Sequence, residues 1–324
     1  MKNKILTIIL LITLSLLLTS CAKNQKHTET VSCMDTIVTV TCYSQDAETA
    51  RSAAKAATDE IRRIEFLLSA HIEGSEVYEI NRNAYVAPVK LSEETEYVLQ
   101  KALDICQKTN GAFDITIKPL VELWNIKAEN PVVPGEDAIN AAKEKVDYKS
   151  VEIKDGYISF KKEGIKIDLG GAAKGYAADC AAKVLKKCGI QNAILDLGGN
   201  VYAMGKSESG KAWKIGLQKP DGERGEHFSV EELSDKTCVT SGSYERYFEK
   251  DGKIYHHIIN PETGFPADSG LISVSVVGDS SFEADMLSTA IFVMGEKNFN
   301  EIKEAFDYDS YTVVDKTNRH RKYS

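Results

Sequence analysis

The hydrophobic and polar positions of the chain predict helices and strands that do not alternate strictly. Helical periodicity is clearest at 47–68 and at 92–109, where Ser92 is a candidate N-cap and Gly111 a stop signal. The same pattern predicts helices at 136–146, 172–189 and 283–294. Alternating or β-branched runs predict strands at 36–41, 151–153, 157–160, 193–197, 201–204, 213–217, 239–247, 254–259, 273–277 and 311–314. This mixture favours an α+β fold, with mixed, largely antiparallel sheets and packed helices, over a doubly wound parallel sheet.

The start of the chain predicts a secretory signal peptide at 1–20, followed by a lipid-attachment cysteine. The apolar run at 5–18 follows two lysines and is shorter than the roughly 20 residues that a membrane-spanning helix needs. Small residues before Cys21 are typical of a lipoprotein cleavage site; a permanent membrane helix is the alternative. Residues 21–31 lack periodicity and are predicted to be a lipidated tether. We therefore expect a folded domain at 32–324, anchored to the cell membrane through its lipid and facing outside the cytoplasm.

Composition indicates a globular protein and argues against a general nucleic-acid binder. Hydrophobic residues make up 43% of the chain and the formal net charge is -8, whereas phosphate-backbone binding needs an excess of Lys and Arg on one face. A polyanionic ligand would need local cations or a metal. Six of the 7 cysteines follow Cys21 without a CxxC pair or zinc-like spacing, and are interpreted mostly as small buried hydrophobes. No repeat or linker divides the chain, so we expect one compact catalytic unit.

The segment IDLGGAAKGYAAD, at 167–179, has the most informative local pattern. Asp168 and two glycines stand where a predicted strand end at 165–167 passes into a helix, and Lys174 falls in the first helical turn. Backbone amides and the helix dipole make such a turn suitable for a phosphate or a metal. The glycine spacing differs from that of a Walker loop, and Gly175 rather than Ser or Thr follows the lysine. An ordinary turn with a surface lysine is the alternative.

Three further segments carry candidate chemistry. His256 and His257 end a predicted strand and should point to opposite faces, so only one should face a given site; a structural histidine is the alternative. Asp285 and Thr289 are four apart on a predicted helix, where a carboxylate and a hydroxyl can reach one hard cation such as Mg²⁺; a helix cap and a packed threonine are the alternative. Arg246 offers a cation near a predicted tight turn, or an ordinary strand residue beside a bulge.

Together and in this order, the segments resemble the ApbE family, whose members are FAD:protein FMN transferases, exported lipoproteins that handle flavins. The resemblance runs from Met34 to Met294 and includes several specific motifs. These are MDT at 34–36, SAHIEGSEVYEIN from Ser69, GAFD at 111–114, IDLGGAAKG at 167–175, TSGSYE at 240–245, HIINPETG at 257–264 and ADMLSTA at 284–290. The resemblance implies an ApbE-like, T-fold-like single unit of two lobes.

The resemblance also implies a cleft in which FAD binds and Mg²⁺ holds its pyrophosphate. The metal ligands would be the backbone carbonyl of Gly171 and the side chains of Asp285 and Thr289, with Ser288 close by. At one of the implied FAD contacts, His71, the family more often has an aromatic such as Tyr or Phe. The implied contacts with FAD are Met34, His71, Ala112, Phe113, Asp114, Asp168, Lys174 and Ile259. Asn260 stands where the family more often has Asp, and should keep the turn because both residues form Asx turns.

The implied reaction is phosphoryl transfer, in which a threonine hydroxyl of a target protein attacks the FMN-side phosphorus of FAD and AMP is released. Lys174 and Mg²⁺ would stabilise the charge, His257 is the candidate general base, and Asp285 is an alternative proton acceptor. The expected partner is an exported flavin-accepting electron-transfer protein. Two other functions remain open at this point: an Mg²⁺-dependent FAD pyrophosphatase that yields FMN and AMP, and a non-catalytic FAD-binding lipoprotein.

Overall fold

A computed structural model describes residues 24–223 and 225–324 of the protein. The signal peptide predicted at 1–20 and the lipidation predicted at Cys21 lie outside the described residues. Within the described ranges, no helix combines the length and the apolar character needed to cross a membrane.

Fifteen strands and seven α-helices make up the described part of the chain. The strands are β1 (Gln25–Cys33), β2 (Thr36–Ser44), β3 (Val89–Lys90), β4 (Val151–Lys154), β5 (Tyr157–Phe160), β6 (Asn192–Leu197), β7 (Asn200–Met204), β8 (Trp213–Gln218), β9 (His227–Leu233), β10 (Lys236–Gly242), β11 (Tyr247–Lys250), β12 (Lys253–His256), β13 (Leu271–Gly278), β14 (Ser310–Asp315) and β15 (His320–Tyr323). The helices are α1 (Ala47–Leu68), α2 (Glu76–Asn83), α3 (Glu93–Lys108), α4 (Lys118–Trp124), α5 (Glu136–Lys143), α6 (Ala173–Lys187) and α7 (Ser281–Ile302), the last kinked at Gly295.

The centre of the fold is an eight-stranded sheet in the order β1-β2-β6-β7-β10-β13-β14-β15. Each neighbouring pair in this sheet is antiparallel. Smaller antiparallel sheets are formed by β3-β5-β4, by β8-β9 and by β11-β12. The predicted α+β fold with largely antiparallel sheets is therefore confirmed.

Several regions differ from the sequence prediction, and two of them bear on the predicted site and tether. The segment predicted as a tether forms strand β1 from Gln25 onward, and its pairing with β2 runs from Gln25 opposite Ser44 to Cys33 opposite Thr36. The prediction missed this strand because β1 is an edge strand with alternately exposed residues, so it lacks the hydrophobic run of a central strand. The strand predicted at 165–167 is reduced to a single bridge between Lys166 and Ile117.

Hydrophobic residues on one face of the large sheet pack against α1, α6 and α7. Val38 and Leu195 belong to the core under α1 and α6, whereas Val274 packs with Ile291 under α7. The opposite face is covered by the β8-β9 ribbon, where Trp213 is buried. These three groups of buried hydrophobic residues all pack on one continuous sheet, so the part of the described chain that forms and covers the sheet is a single unit.

One end of the large sheet gathers several of the motifs. The register places the β1-β2 turn at this end, together with the β6-β7 turn, the last residues of β10 and the first residues of β13. Thr36 and Gly198 lie in contact there, because a Cβ added to Gly198 would be 2.2 Å from the Thr36 hydroxyl oxygen. The sheet therefore brings the MDT and TSGSYE motifs to the same end of its strands, although they are some 200 residues apart in the chain.

The described cysteines agree with the interpretation drawn from the sequence. All six are free, and five of them are buried, with only Cys188 exposed. Burial raises the pKa of the Cys33 and Cys238 thiols to about 12, so both are protonated at neutral pH.

Candidate active site

The turn at 168–171 lies between the GAFD segment and helix α7. Its start is fixed by the Asp168 amide, which donates to the Ile115 carbonyl at 2.7 Å. Neither Gly170 nor Gly171 has a positive φ, so these glycines are needed for space rather than for backbone conformation. A Cβ on Gly171 would be 3.1 Å from the Phe113 ring and 3.4 Å from Thr289 Oγ1. The turn is therefore packed directly against both motifs.

Hydroxyl groups from two elements meet beside this turn. Ser241 Oγ, at the end of β10, lies 2.8 Å from Ser288 Oγ and 3.3 Å from Thr289 Oγ1 on α7. Ser288 Oγ donates to the backbone carbonyl of Asp285 at 2.9 Å. The structure thus brings together Gly171, Asp285 and Thr289, the three predicted metal ligands. It adds Ser241, for which the sequence indicated only a turn.

Asp285 does not cap its own helix. Ser280 is the N-cap of α7, whereas Asp285 Oδ2 accepts the Gly175 amide of α6 at 2.9 Å and Oδ1 lies 3.7 Å from Lys174 Nζ. This carboxylate is buried at the positive end of the neighbouring helix, which has no side-chain cap of its own. A Cβ on Gly175 would be 2.2 Å from the Ser281 carbonyl oxygen, so only glycine permits this approach. The capping role considered from the sequence is therefore wrong for α7, but Asp285 does serve α6.

A second carboxylate joins α6 and α7, this time from α6 to the start of α7. Asp179 on α6 accepts the Ser281 amide at 2.9 Å and the Phe282 amide at 3.1 Å, at the start of α7. It also accepts the Ser280 hydroxyl at 3.0 Å. Burial raises the pKa of Asp179, and the two backbone amides oppose that shift. Helices α6 and α7 therefore cap each other.

The oxygen donors at this junction fit Mg²⁺. A carboxylate, hydroxyl groups and an adjacent backbone carbonyl are hard ligands, and the described residues contribute no thiol or imidazole to this donor set.

A second group of potential ligands, Glu60, Glu94 and Cys180, lies elsewhere with its ligand atoms within 4.8 Å of one another. Arg63 donates to both carboxylates of this group, and burial raises the pKa of the Cys180 thiol to about 11. We therefore interpret that group as an ion-pair network rather than a metal site.

The two adjacent histidines have different roles. His256 is buried, with Nε2 3.0 Å from the Ala267 carbonyl oxygen and Nδ1 accepting the Ile258 amide at 3.3 Å, so it is a structural residue. His257 is partly exposed, with Nδ1 3.2 Å from the Arg246 carbonyl oxygen. Although part of the residue is exposed, its ring is desolvated by the surrounding protein, and this and the Arg246 charge lower the pKa of His257 to about 3. His257 is therefore neutral, and a proton on Nδ1 leaves Nε2 free to accept one.

Met34 lies on a strained turn at the same end of the sheet. Met34 and Asp35 both have positive φ, 53° and 59°, which is uncommon for residues other than glycine; Asp tolerates it better than Met. Three side chains hold the turn. Glu65 accepts the Met34 amide at 2.5 Å, Lys127 donates to the Asp35 carboxylate at 2.5 Å, and Arg246 donates to the Asp35 carbonyl at 2.9 Å. Sparsely populated backbone conformations of this kind persist where the surroundings over-determine them.

The GAFD segment approaches the turn through Phe113, which is buried, while Ala112 is partly exposed. The Asp114 carboxylate faces inward and accepts the Thr116 amide at 2.8 Å, the Thr116 hydroxyl at 2.6 Å and the Tyr148 amide at 3.2 Å. Burial raises the pKa of Asp114 against the effect of these donors. Asp114 therefore stabilises the loop that carries Ala112 and Phe113, which the sequence did not indicate.

Ile259 is buried beside Trp124, and its side chain belongs to the cluster under α4 and α5. The next residue, Asn260, accepts the Glu262 amide at 2.8 Å and the Thr263 amide at 3.2 Å. The predicted Asx turn is confirmed.

His71 is exposed in the loop after α1, and its ring lies beside a lysine that the sequence did not single out. Lys118 Nζ, at the start of α4, is 3.5 Å from each ring nitrogen of His71 and 3.9 Å from Asp168 Oδ2. No sequence pattern indicated Lys118, since a lone lysine is usually a surface residue.

An open groove of about 530 Å³ lies between α3 and the region of β4. None of the predicted site residues lines this groove. Its walls are formed by Gln100, Leu103, Asp104, Gln107, Tyr148, Lys149, Val151 and Ile153.

The assembled motifs are matched by a known family over most of the sequence. Residues 34–311 match the ApbE family. The chain belongs to the ApbE family. Its relatives include proteins named FAD:protein FMN transferase from Treponema pallidum and Klebsiella pneumoniae. The first is 35% identical over 260 residues, covering 75% of this chain and 72% of the relative. The second is 34% identical over 257 residues, covering 78% and 79%.

Solved structures of ApbE proteins have the same fold. The ApbE protein of Thermotoga maritima superposes with a TM-score of 0.85 at 33% identity, covering 93% of this chain and 97% of that one. The flavin transferase ApbE of Vibrio cholerae gives a TM-score of 0.82 at 28% identity, with the same coverage. The ApbE-like architecture predicted from the motifs is thus confirmed.

Proposed function

We propose that the protein transfers the FMN moiety of FAD onto a threonine hydroxyl of a target protein, with release of AMP. The observation that carries the proposal is the meeting of Gly171, Asp285 and Thr289 beside Lys174 in a member of a family whose relatives are named FAD:protein FMN transferases. FAD is the substrate. The chemistry is phosphoryl transfer, in which positioning and charge neutralisation account for most of the catalysis.

We propose that Asp285, Thr289 and the Gly171 carbonyl hold Mg²⁺, with Ser288 and Ser241 close enough to orient them. When bound, Mg²⁺ would neutralise charge on the pyrophosphate oxygens. Lys174 would add a second positive charge from the first turn of α6, where unpaired helical amides also favour an anion. The predicted FAD contacts at Phe113 and Asp168 lie beside the same junction, since Phe113 packs against Gly171 and the Asp168 amide donates to the carbonyl of Ile115, which follows the GAFD segment.

His257 is the proposed general base. The threonine oxygen forms a bond to the FMN-side phosphorus, the bond between that phosphorus and the bridging oxygen breaks, and AMP departs with that oxygen. The threonine proton passes to His257 Nε2, which is free because Nδ1 faces the Arg246 carbonyl. A general base must be neutral at the start of the reaction, and desolvation together with the Arg246 charge keeps His257 neutral; the position of Nε2, not the pKa, carries the assignment.

Incubation with FAD, Mg²⁺ and a threonine-containing flavin-acceptor domain tests the function. We expect flavin fluorescence on the acceptor in a denaturing gel, and none on an acceptor whose threonine is replaced by valine. Free FMN and AMP without labelled acceptor would instead show an FAD pyrophosphatase. Unchanged FAD would show a binding protein. Addition of EDTA should abolish the labelling, and excess Mg²⁺ should restore it.

We further propose that the protein is lipidated at Cys21 after removal of residues 1–20 and acts on exported electron-transfer proteins from the outer side of the membrane. The motif at the start of the sequence supports this proposal. Fractionation of cells that express the full chain tests it. The wild type should sediment with membranes and incorporate labelled palmitate, and Cys21→Ser should incorporate none.

A further inference from the structure

Lys118 is a buried lysine whose ammonium group makes only long polar contacts with the described residues. The residue is 3% exposed. Its Nζ lies 3.5 Å from both ring nitrogens of His71, 3.7 Å from Glu122 Oε1 and 3.9 Å from Asp168 Oδ2. Charge-assisted hydrogen bonds are about 2.7–2.9 Å long, and an Nζ equidistant from two ring nitrogens cannot donate well to both. The ammonium is surrounded by polar groups but bonded tightly to none.

Each neighbouring carboxylate makes its closer hydrogen bond to another donor, through the oxygen that does not face Lys118. Glu122 is half exposed and binds Lys166 Nζ at 2.7 Å, a full ångström closer than its contact with Lys118. Asp168 uses its other oxygen, Oδ1, to accept the Gly170 amide at 2.8 Å. A buried ammonium is costly unless charged or hydrogen-bonding groups compensate for lost water. The long contacts therefore indicate that Lys118 Nζ donates to a ligand oxygen when a ligand is bound, rather than forming a structural ion pair.

The position of Lys118 indicates where that acceptor would come from. His71 is exposed on one side of the ammonium, and Asp168 begins the turn that leads to Gly171 on the other. Both residues are predicted FAD contacts. We propose that Lys118 is an FAD-binding residue that donates from Nζ to an oxygen of the bound nucleotide. This inference rests on the proposed function, because it takes FAD as the ligand of this cleft.

The chemistry that Lys118 would recognise is an electronegative oxygen, which FAD offers both as flavin carbonyls and as phosphate oxygens. Either contact would be strengthened by the low exposure of the site, because a charge interacts more strongly where water is excluded. The same contact would leave Asp168 Oδ2 oriented toward the ligand, between the ammonium and the FAD hydroxyls.

Equilibrium binding of FAD in the presence of Mg²⁺ tests the inference. The variant is Lys118→Met, which keeps the length of the side chain and removes its charge and donors. The matched control is Lys166→Met, which removes the exposed lysine bound to the same Glu122. We expect the Kd for FAD to rise at least tenfold in Lys118→Met and to change less than twofold in Lys166→Met. Lys118→Arg should recover part of the loss.

Two fragments of FAD locate the contact. Riboflavin carries the flavin carbonyls without phosphate, and ADP carries the phosphates without flavin. Loss of riboflavin affinity in Lys118→Met indicates a contact with a flavin carbonyl, and loss of ADP affinity indicates a phosphate contact. Unchanged affinity of Lys118→Met for FAD and for both fragments would overturn the proposal.

Thermal unfolding without FAD separates binding from folding. A ligand-binding role predicts that the Tm of ligand-free Lys118→Met stays within a few degrees of the wild-type value while the increase in Tm caused by FAD shrinks. A lower Tm with an unchanged Kd would show a structural ion pair and overturn the proposal. If Lys118→Met does not fold, Lys118→Gln provides the same comparison. Failure of wild-type transfer to an acceptor would refute the proposed function, whereas the Lys118 comparison depends only on the Kd values.

Discussion

Asp285 and Asp179 make the same kind of contact at the two sides of the junction between α6 and α7, yet their surroundings differ. Each accepts backbone amides at the start of the other helix. Asp285 also faces Lys174 and lies one turn from Thr289, whereas Asp179 also accepts the Ser280 hydroxyl of the N-cap. The comparison shows that one type of interaction, a carboxylate at a helix N-terminus, can serve the chemistry in one place and the architecture in another.

The two contacts are also coupled through the helices that they join. Asp179 fixes where α7 begins, and Asp285 lies just over one turn further along that helix. The position of Asp285 at the site therefore depends on the contact that Asp179 makes with the start of α7. Substitution of Asp285 should therefore act mainly on activity, and substitution of Asp179 mainly on stability.

The largest effect is expected for Asp285→Asn. The amide oxygen can still accept the Gly175 N–H, so the free energy of unfolding should change by no more than about 1 kcal/mol. Loss of the anionic oxygen beside Lys174 should reduce FMN transfer on the order of 100-fold or more. Initial rates of acceptor labelling and urea unfolding would measure the two quantities. A variant that transfers FMN at the wild-type rate would remove Asp285 from the site.

His257→Gln should reduce transfer on the order of 100-fold, the contribution typical of a general base, with the Kd for FAD unchanged. The pH dependence provides a second measurement. Because the folded pKa of about 3 lies below the ordinary value of about 6.5, the unfolded chain binds more protons between these values. The wild type should therefore lose stability as the pH falls from 6.5, more steeply than His257→Gln. Parallel stability curves for the two proteins would contradict the lowered pKa of His257, and an unchanged transfer rate in His257→Gln would contradict its role as the general base.

Asp179→Ala should act mainly on stability. It leaves two backbone amides at the start of α7 without their acceptor, which should cost about 2 kcal/mol in the free energy of unfolding. Transfer at 25 °C should fall only several-fold, because Asp285 and Thr289 remain on an intact helix. Comparison of chemical unfolding with initial rates would show this. A loss of activity as large as that of Asp285→Asn, in a protein that remains folded, would mean that the two carboxylates do not differ as proposed.

The smallest effect is expected for Ser241→Ala. Ser241 Oγ lies 3.3 Å from Thr289 Oγ1, so it would orient a proposed ligand without being one. We expect about a threefold to tenfold increase in the Mg²⁺ concentration needed for half-maximal transfer, at the low end of the effects of residues behind metal ligands. The rate at saturating Mg²⁺ should be close to that of the wild type. A large loss at saturating Mg²⁺ would place Ser241 among the metal ligands themselves.

Much of the fold could be predicted because its signals are local. Helix α1 was predicted with its observed bounds, and Ser92 caps α3 as expected. Helices α2 and α4 were missed because they have only 8 and 7 residues, too few for a clear helical period. Strands β9 and β15 were missed for a related reason, since each carries exposed charged residues beside its apolar ones.

The candidate site was only partly predictable. Helical spacing alone placed Asp285 and Thr289 on one face, but their association with Gly171 came from the resemblance to ApbE proteins. The contact of Asp285 with the Gly175 amide joins residues 110 apart in sequence, which no local pattern encodes. Lys118 was missed because its burial depends on the loop that carries His71, so its sequence neighbourhood shows only a lysine before a proline.

The Met34–Asp35 turn sets a limit on how far this protein could be stabilised without loss of binding. An Asn-Gly pair would adopt the same backbone at lower energy and should make the hairpin more stable. It would also remove the methionine predicted to touch FAD and the carboxylate that Lys127 holds. Selection for thermostability alone would therefore favour changes at this turn that selection for flavin transfer would reject.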